Sequence, residues 1–120
     1  MVTGARYGTA HNGLNEWTFQ RISAVLLAIL LPLIFVLLMG VYSGAVTQME
    51  LLDILDCSIT RLLHTILMTA LLVHAHLGLK VIVEDYVHSA GLRIPLMVIL
   101  MVVVGGLGIW WLSMIWAWGI

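Results

Sequence analysis

Over residues 22–42 the chain carries no charged side chain. A run of that length matches the ~20 apolar residues that an α-helix needs to cross the hydrocarbon core of a bilayer. No other feature narrows the fold as much, because lipid offers the backbone no hydrogen-bond partner and only helices or closed barrels can span it. Two further runs of similar length follow. Residues 62–83 are less purely apolar and contain His64, His74, His76 and Lys80, and 94–118 are interrupted only by Ser113 and glycines. The chain therefore reads as an all-α membrane protein with three transmembrane helices in a single membrane-anchor domain. Pro32 removes a backbone donor in the middle of the first span and is expected to kink it.

Composition agrees. Of 120 residues, 62% are hydrophobic and 9% charged, whereas soluble domains are about 25% charged. A small soluble globule could not cover that much apolar surface. The single Cys57 excludes a disulfide scaffold and reads as a free thiol. Five basic residues against six acidic ones, with no basic run, leave nucleic-acid binding without support. The first apolar run is longer than the ~7–15 residues of a cleaved signal core, so it is read as retained.

The connections are short and polar. Residues 43–61 carry Glu50, Asp53 and Asp56, and 84–93 form the second link. Arg6, Arg21, Lys80 and Arg93 lie on the N-terminal side or at the second link, and Arg61 alone lies on the other side. Positive charge is retained in the cytoplasm, so the N-terminus is expected inside and the C-terminus outside. Trp110, Trp111, Trp116 and Trp118 then fall toward the outer end of the third span, where aromatic belts form. Residues 1–20 read as an N-terminal interfacial segment. A turn is expected at Asn12-Gly13, followed by a short helix whose Trp17 and Phe19 anchor it among headgroups. Gly105, Gly106 and Gly108 suggest close approach of another helix to the third span.

With almost nothing outside the bilayer, chemistry must sit within the membrane, at its surface or in a complex. Ionisable side chains in a membrane helix are costly and point to function. Ala70, His74 and Gly78 are four residues apart and form one stripe of the second helix. A small residue one turn above and one turn below an imidazole makes a shallow groove. A flat macrocycle fits such a groove, with neutral imidazole as an axial ligand to its iron. The competing reading is a histidine bonded to a backbone group or hydroxyl of another helix. His76 points about 160° away and is read as packing against the third span or another subunit. His64 is read as interfacial. His88 follows Glu84, Asp85 and Tyr86 and is read as lying among headgroups rather than holding a second haem. Asp85 and Tyr86 end the span about 16–18 Å from His74. A tyrosine hydroxyl can donate to a carbonyl oxygen, and a carboxylate beside it can take part in proton delivery, as a quinone site requires. The alternative is a belt tyrosine beside a solvated acid. Arg21 is either a charge anchor or the partner of a haem propionate, through charge-assisted hydrogen bonds.

The run His74-Ala75-His76-Leu77-Gly78, followed by Asp85-Tyr86-Val87 and Leu92-Arg93, resembles the smaller hydrophobic membrane anchor subunit of bacterial succinate dehydrogenase, respiratory complex II. Asn12-Gly13-Leu14, Glu16 and Arg21 fit the stretch before that family's first helix. The likeness covers nearly the whole chain, with the His-x-x-x-Gly and Asp-Tyr elements as its specific parts. Asn15 stands where some relatives carry histidine. The resemblance implies a multi-pass subunit of the bacterial inner membrane, with its C-terminus periplasmic. Its implied partners are a flavoprotein, an iron–sulfur subunit and a second, cytochrome b-type membrane anchor. It implies His74 as one axial ligand of a shared haem b, the other coming from the second anchor. It further implies Gly78 packing on that haem, Arg21 at a propionate, and Tyr86 with Asp85 at a ubiquinone site. The chain would not be catalytic alone. The rival expectation is a small transporter or structural membrane subunit whose histidines line a proton path or join helices.

Overall fold

The computed structural model describes the backbone of residues 3–117 and the side chains of 14–117. The described residues form four helices and no strand: α1 (Thr3–Tyr42), α2 (Gln48–Asp56), α3 (Ser58–Tyr86) and α4 (Ala90–Ala117). Three of them have the length and apolar character of membrane spans, over Leu14–Tyr42, Ser58–Tyr86 and Ala90–Ala117. The three-span fold expected from the sequence is therefore present, with each span longer than the apolar run that marked it. Trp118 lies outside the described residues.

The largest departure is at the N-terminus. α1 is continuous from Thr3, and no turn forms at Asn12-Gly13. Helix formation is cooperative. A nucleated helix extends through an unfavourable residue when the local penalty is small, about 1 kcal/mol for glycine relative to alanine. The helix also runs on through Pro32. It ends after Tyr42, where Gly44 takes a left-handed φ of 79°. The chain then folds back so that the Val46 N–H donates to the Gly40 carbonyl at 2.9 Å.

The first link contains a helix that its polar composition concealed. α2 opens with a reciprocal cap. The Glu50 N–H donates to the Thr47 hydroxyl at 3.3 Å, and the Thr47 N–H donates to the Glu50 carboxylate at 2.8 Å. The Thr47-x-x-Glu50 spacing is the sequence signature of this capping box. Those bonds hold the Glu50 carboxyl below its ordinary pKa, through the Thr47 backbone first and its hydroxyl second. An ion pair from Asp56 to Arg61 ties the end of α2 to the first turn of α3. Between them Cys57 is exposed, and the N–H groups of Ile59 and Thr60 hold its thiol below the ordinary value.

α3 lies between α1 and α4 and packs on both. The core is small: Leu27 and Leu30 of α1 meet Leu67 and Ala70 of α3, with Leu26, Ile34 and Ile66 around them. Most large apolar side chains face outward, among them Phe35, Val36, Met101, Val102 and Ile109. In water such exposure would mark an interface over nearly the whole surface. Around three long helices it is the surface that acyl chains cover.

Candidate functional site

α1 and α3 run antiparallel, and their contacts keep one register along the seam. Leu30 and Leu27 meet Leu67 and Ala70, Ser23 meets His74, Gln20 meets Gly78, and Glu16 meets Lys80. The Ala70–His74–Gly78 stripe is thus the face of α3 turned toward α1. Ala70 is 4% exposed beneath the two leucines. At Gly78, the Gln20 amide nitrogen lies 3.8 Å from where a Cβ would stand. The small residues bring α1 close on both sides of the histidine, so the groove expected beside Ala70 is filled by α1 leucines. His74 itself is only half-buried.

The His74 imidazole sits near the middle of α3, and its Nδ1 lies 3.2 Å from the Ser23 hydroxyl. Ser23 is 3% exposed, and its hydroxyl donates back to the Gln20 carbonyl at 2.9 Å. A carbonyl only accepts and a hydroxyl has one proton, so Ser23 receives a proton from the ring. In a neutral imidazole that arrangement puts the ring hydrogen on Nδ1 and leaves Nε2 as the unprotonated nitrogen. The hydroxyl bond that competed with ligation in the sequence reading is present, and it leaves the ligating nitrogen available. Among the described residues no group of three or more His, Cys, Asp and Glu side chains gathers to hold a metal ion. A lone imidazole instead suits a metal that arrives inside a macrocycle with four nitrogens of its own, and this donor chemistry fits haem.

The other expected site residues are not drawn to His74. Arg21 is exposed, with its guanidinium 5.4 Å from the centre of the Trp17 ring. It lies two residues before Ser23 and so about 160° around the helix from it. Asp85 and Tyr86 occupy the last turn of α3, both exposed, Tyr86 at 78%. His88 is exposed in the link that follows.

Two sets of contacts had not been assigned from the sequence. Lys80 pairs with Glu16 across the α1–α3 seam and lies 3.9 Å from Glu84 one turn on. A basic residue inside an apolar run was a signal for such a partner. Near the α2 end, the Trp111 indole donates to His64 Nε2 at 2.9 Å and the Trp116 indole to the Thr65 hydroxyl at 3.1 Å. These tryptophans join helices as well as facing an interface. Trp111 and His64 help line a cavity of about 320 Å³ with Leu55, Trp110, Met114 and Ile115. His76 faces α4 as expected, in a groove of about 440 Å³ that includes Gly105 and Gly108. Its Nδ1 is buried without a hydrogen-bond partner among the described residues.

The family model for the succinate dehydrogenase/fumarate reductase transmembrane subunit matches residues 4–109. No curated protein and no solved structure matches the chain. The matched segment takes in the whole α1–α3 seam and most of α4, including every residue of the His74 constellation. With three apolar spans and a match over residues 4–109, the chain belongs to the family of succinate dehydrogenase/fumarate reductase transmembrane subunits.

Proposed function

We propose that this chain is the smaller membrane anchor of a succinate:quinone oxidoreductase, contributing one axial ligand to a haem b and part of a ubiquinone site. The observation that carries the reading is His74, placed mid-span with Nδ1 engaged by Ser23 and Nε2 bare. Haem iron in such a site takes up and returns single electrons, with its potential set by its axial ligands and burial. His74 would hold it from this side, and a histidine of the second, cytochrome b-type anchor would hold it from the other. Gly78, which has no Cβ, would keep its own side of the ligand free of a side chain, with the Gln20 amide nitrogen 3.8 Å from where that Cβ would stand. Arg21 would reach a propionate from the exposed side of α1 once released from Trp17.

At the end of α3, the Tyr86 hydroxyl donates a hydrogen bond to a quinone carbonyl. Asp85 beside it would take up a proton from solvent on its carboxylate and relay it to the reduced oxygen. Their exposure suits a site completed by the iron–sulfur subunit, which would bring the electrons taken from succinate by the flavoprotein. The chain has no succinate chemistry of its own and is not an enzyme alone. The distribution of basic residues supports a bacterial inner-membrane topology with the N-terminus and Tyr86 at the cytoplasmic face and Cys57 outside. A membrane-impermeant maleimide should then label Cys57 in right-side-out vesicles; labelling only in inverted ones reverses the topology.

The deciding experiment is a reduced-minus-oxidised spectrum of the purified complex with and without His74→Ala. Reduced b-type bands should be present in the parent and lost in the variant while the chain still inserts. Bands that survive the substitution would reject His74 as ligand. Tyr86→Phe should lower quinone reduction by about tenfold or more, the scale of one hydrogen bond to a developing charge, while a soluble artificial acceptor is still reduced. Equal loss in both assays would assign Tyr86 to assembly.

A further inference from the structure

Ser23 is the one polar side chain in the buried class among the described residues, at 3% exposure. Its surroundings are the small α1–α3 core. A hydroxyl there needs its partners, because an unmade hydrogen bond at lipid depth costs several kcal/mol. It has two, the Gln20 carbonyl at 2.9 Å on its own helix and His74 Nδ1 at 3.2 Å on the next. Back-bonding to the preceding turn is a common habit of serine in helices. Here it also consumes the hydroxyl's only proton and leaves the oxygen as an acceptor.

We infer that Ser23 is a positioning residue for the axial histidine. It holds His74 in the Nδ1–H tautomer, fixes the plane of the ring and sets how strongly Nε2 donates to iron. This rests on the reading of His74 as a haem ligand. Histidine ligands donate their second ring N–H to an acceptor, and that outer partner raises the basicity of the ligating nitrogen. The bond to Gln20 strengthens the effect, since a hydroxyl that is donating becomes a better acceptor through cooperative polarisation. A more basic Nε2 favours the ferric state over the ferrous, so Ser23 lowers the potential of the bound haem. It also removes the freedom of the imidazole to turn about its Cβ–Cγ bond. Ala70 and Gly78 stand one turn to either side of the histidine and are small, and this bond ties the ring to α1.

The test uses the assembled complex carrying Ser23→Ala, Ser23→Thr or Ser23→Cys. Its readouts are the haem midpoint potential from a redox titration and the low-temperature EPR spectrum of the ferric haem. Alanine differs from serine by one oxygen, so it removes the acceptor with little change in packing. It should retain the haem, shift the potential to a more positive value and move the highest g feature. Threonine keeps a hydroxyl able to make the same back-bond and should restore both readouts. Cysteine keeps the volume but accepts weakly, and should give a smaller shift of the same sign. An alanine variant with unshifted potential and g values overturns the inference. Should that variant fail to assemble, the cysteine variant decides on the same two readouts. An unmodified complex without b-type bands, or bands surviving His74→Ala, would instead overturn the ligand assignment itself.

Discussion

The two seams of α3 are built differently. Toward α1, apolar packing and polar bonds alternate along the span: Leu27, Leu30, Leu67 and Ala70 form the core, Ser23 bonds His74, and Glu16 pairs with Lys80. Toward α4, cross-seam hydrogen bonds gather at the α2 end, where Trp111 and Trp116 meet His64 and Thr65. The middle is an open groove lined by His76 and Gly105, with one tight approach where a Cβ on Gly108 would come 3.1 Å from Leu72. Between lipid-immersed helices there is no hydrophobic drive, so packing and hydrogen bonds hold them together. The α1 seam has both along its length and so fixes the position of His74. Both seams use the same polar device. Thr65 donates back to the Arg61 carbonyl at 2.8 Å and accepts from Trp116 across the seam, as Ser23 does between Gln20 and His74.

The contrast can be broken from either side. Leu67→Ala, in the α1 seam, should lower stability by about 2 kcal/mol, the low end for a buried leucine because lipid and protein interior are similarly apolar. Ile109→Ala on α4, 75% exposed, should stay within about 0.5 kcal/mol. Thermal unfolding in detergent compares them, and equal losses would erase the distinction between the seams. Next in size, Lys80→Met leaves Glu16 half-buried beside an apolar chain and should lower stability by about 1 kcal/mol. In a double-mutant cycle, adding Glu16→Gln should recover part of that loss; strict additivity would mean that the ion pair contributes nothing.

Smaller still, Trp111→Phe keeps one aromatic ring but removes the indole donor to His64, and the lost hydrogen bond should cost about 0.6 kcal/mol. Hydrogen exchange should rise at the α2 end of α4 and stay unchanged in α1. The smallest effect concerns the cap of α2. The Glu50 carboxyl is held below its ordinary value of 4.5 by Thr47. Its contribution is therefore present above that value and is lost as pH falls through the lowered one. Helicity of α2 should weaken only in acid, and Glu50→Gln should abolish this pH dependence.

How much of this was legible before any coordinates can be judged residue by residue. The spans were, because lipid imposes length and apolarity on every crossing segment. His74 stood out because an imidazole at lipid depth is expensive, and the four-residue spacing put Ala70, His74 and Gly78 on one face of α3. What that face meets was not legible. The residues that cover it, Gln20, Ser23, Leu27 and Leu30, belong to another helix, and nothing local in the chain sets the register between the two. α2 was hidden because charge counting hid its Thr47–Glu50 cap, although the motif was in plain view. Glu16 and Lys80 are 64 residues apart, beyond any periodicity argument.

The amino-acid sequence alone determined that this chain crosses a membrane three times, which helix carries the mid-span imidazole and which family it joins. The crossings and the place of the imidazole follow from local composition and spacing, with the bilayer acting as an external ruler, whereas the family rests on the likeness of its motifs. Only the tertiary structure decided which nitrogen of His74 is engaged and which is left bare. Proton placement on an imidazole is set by the acceptor that faces it, and here that acceptor arrives on a separate helix, 51 residues away.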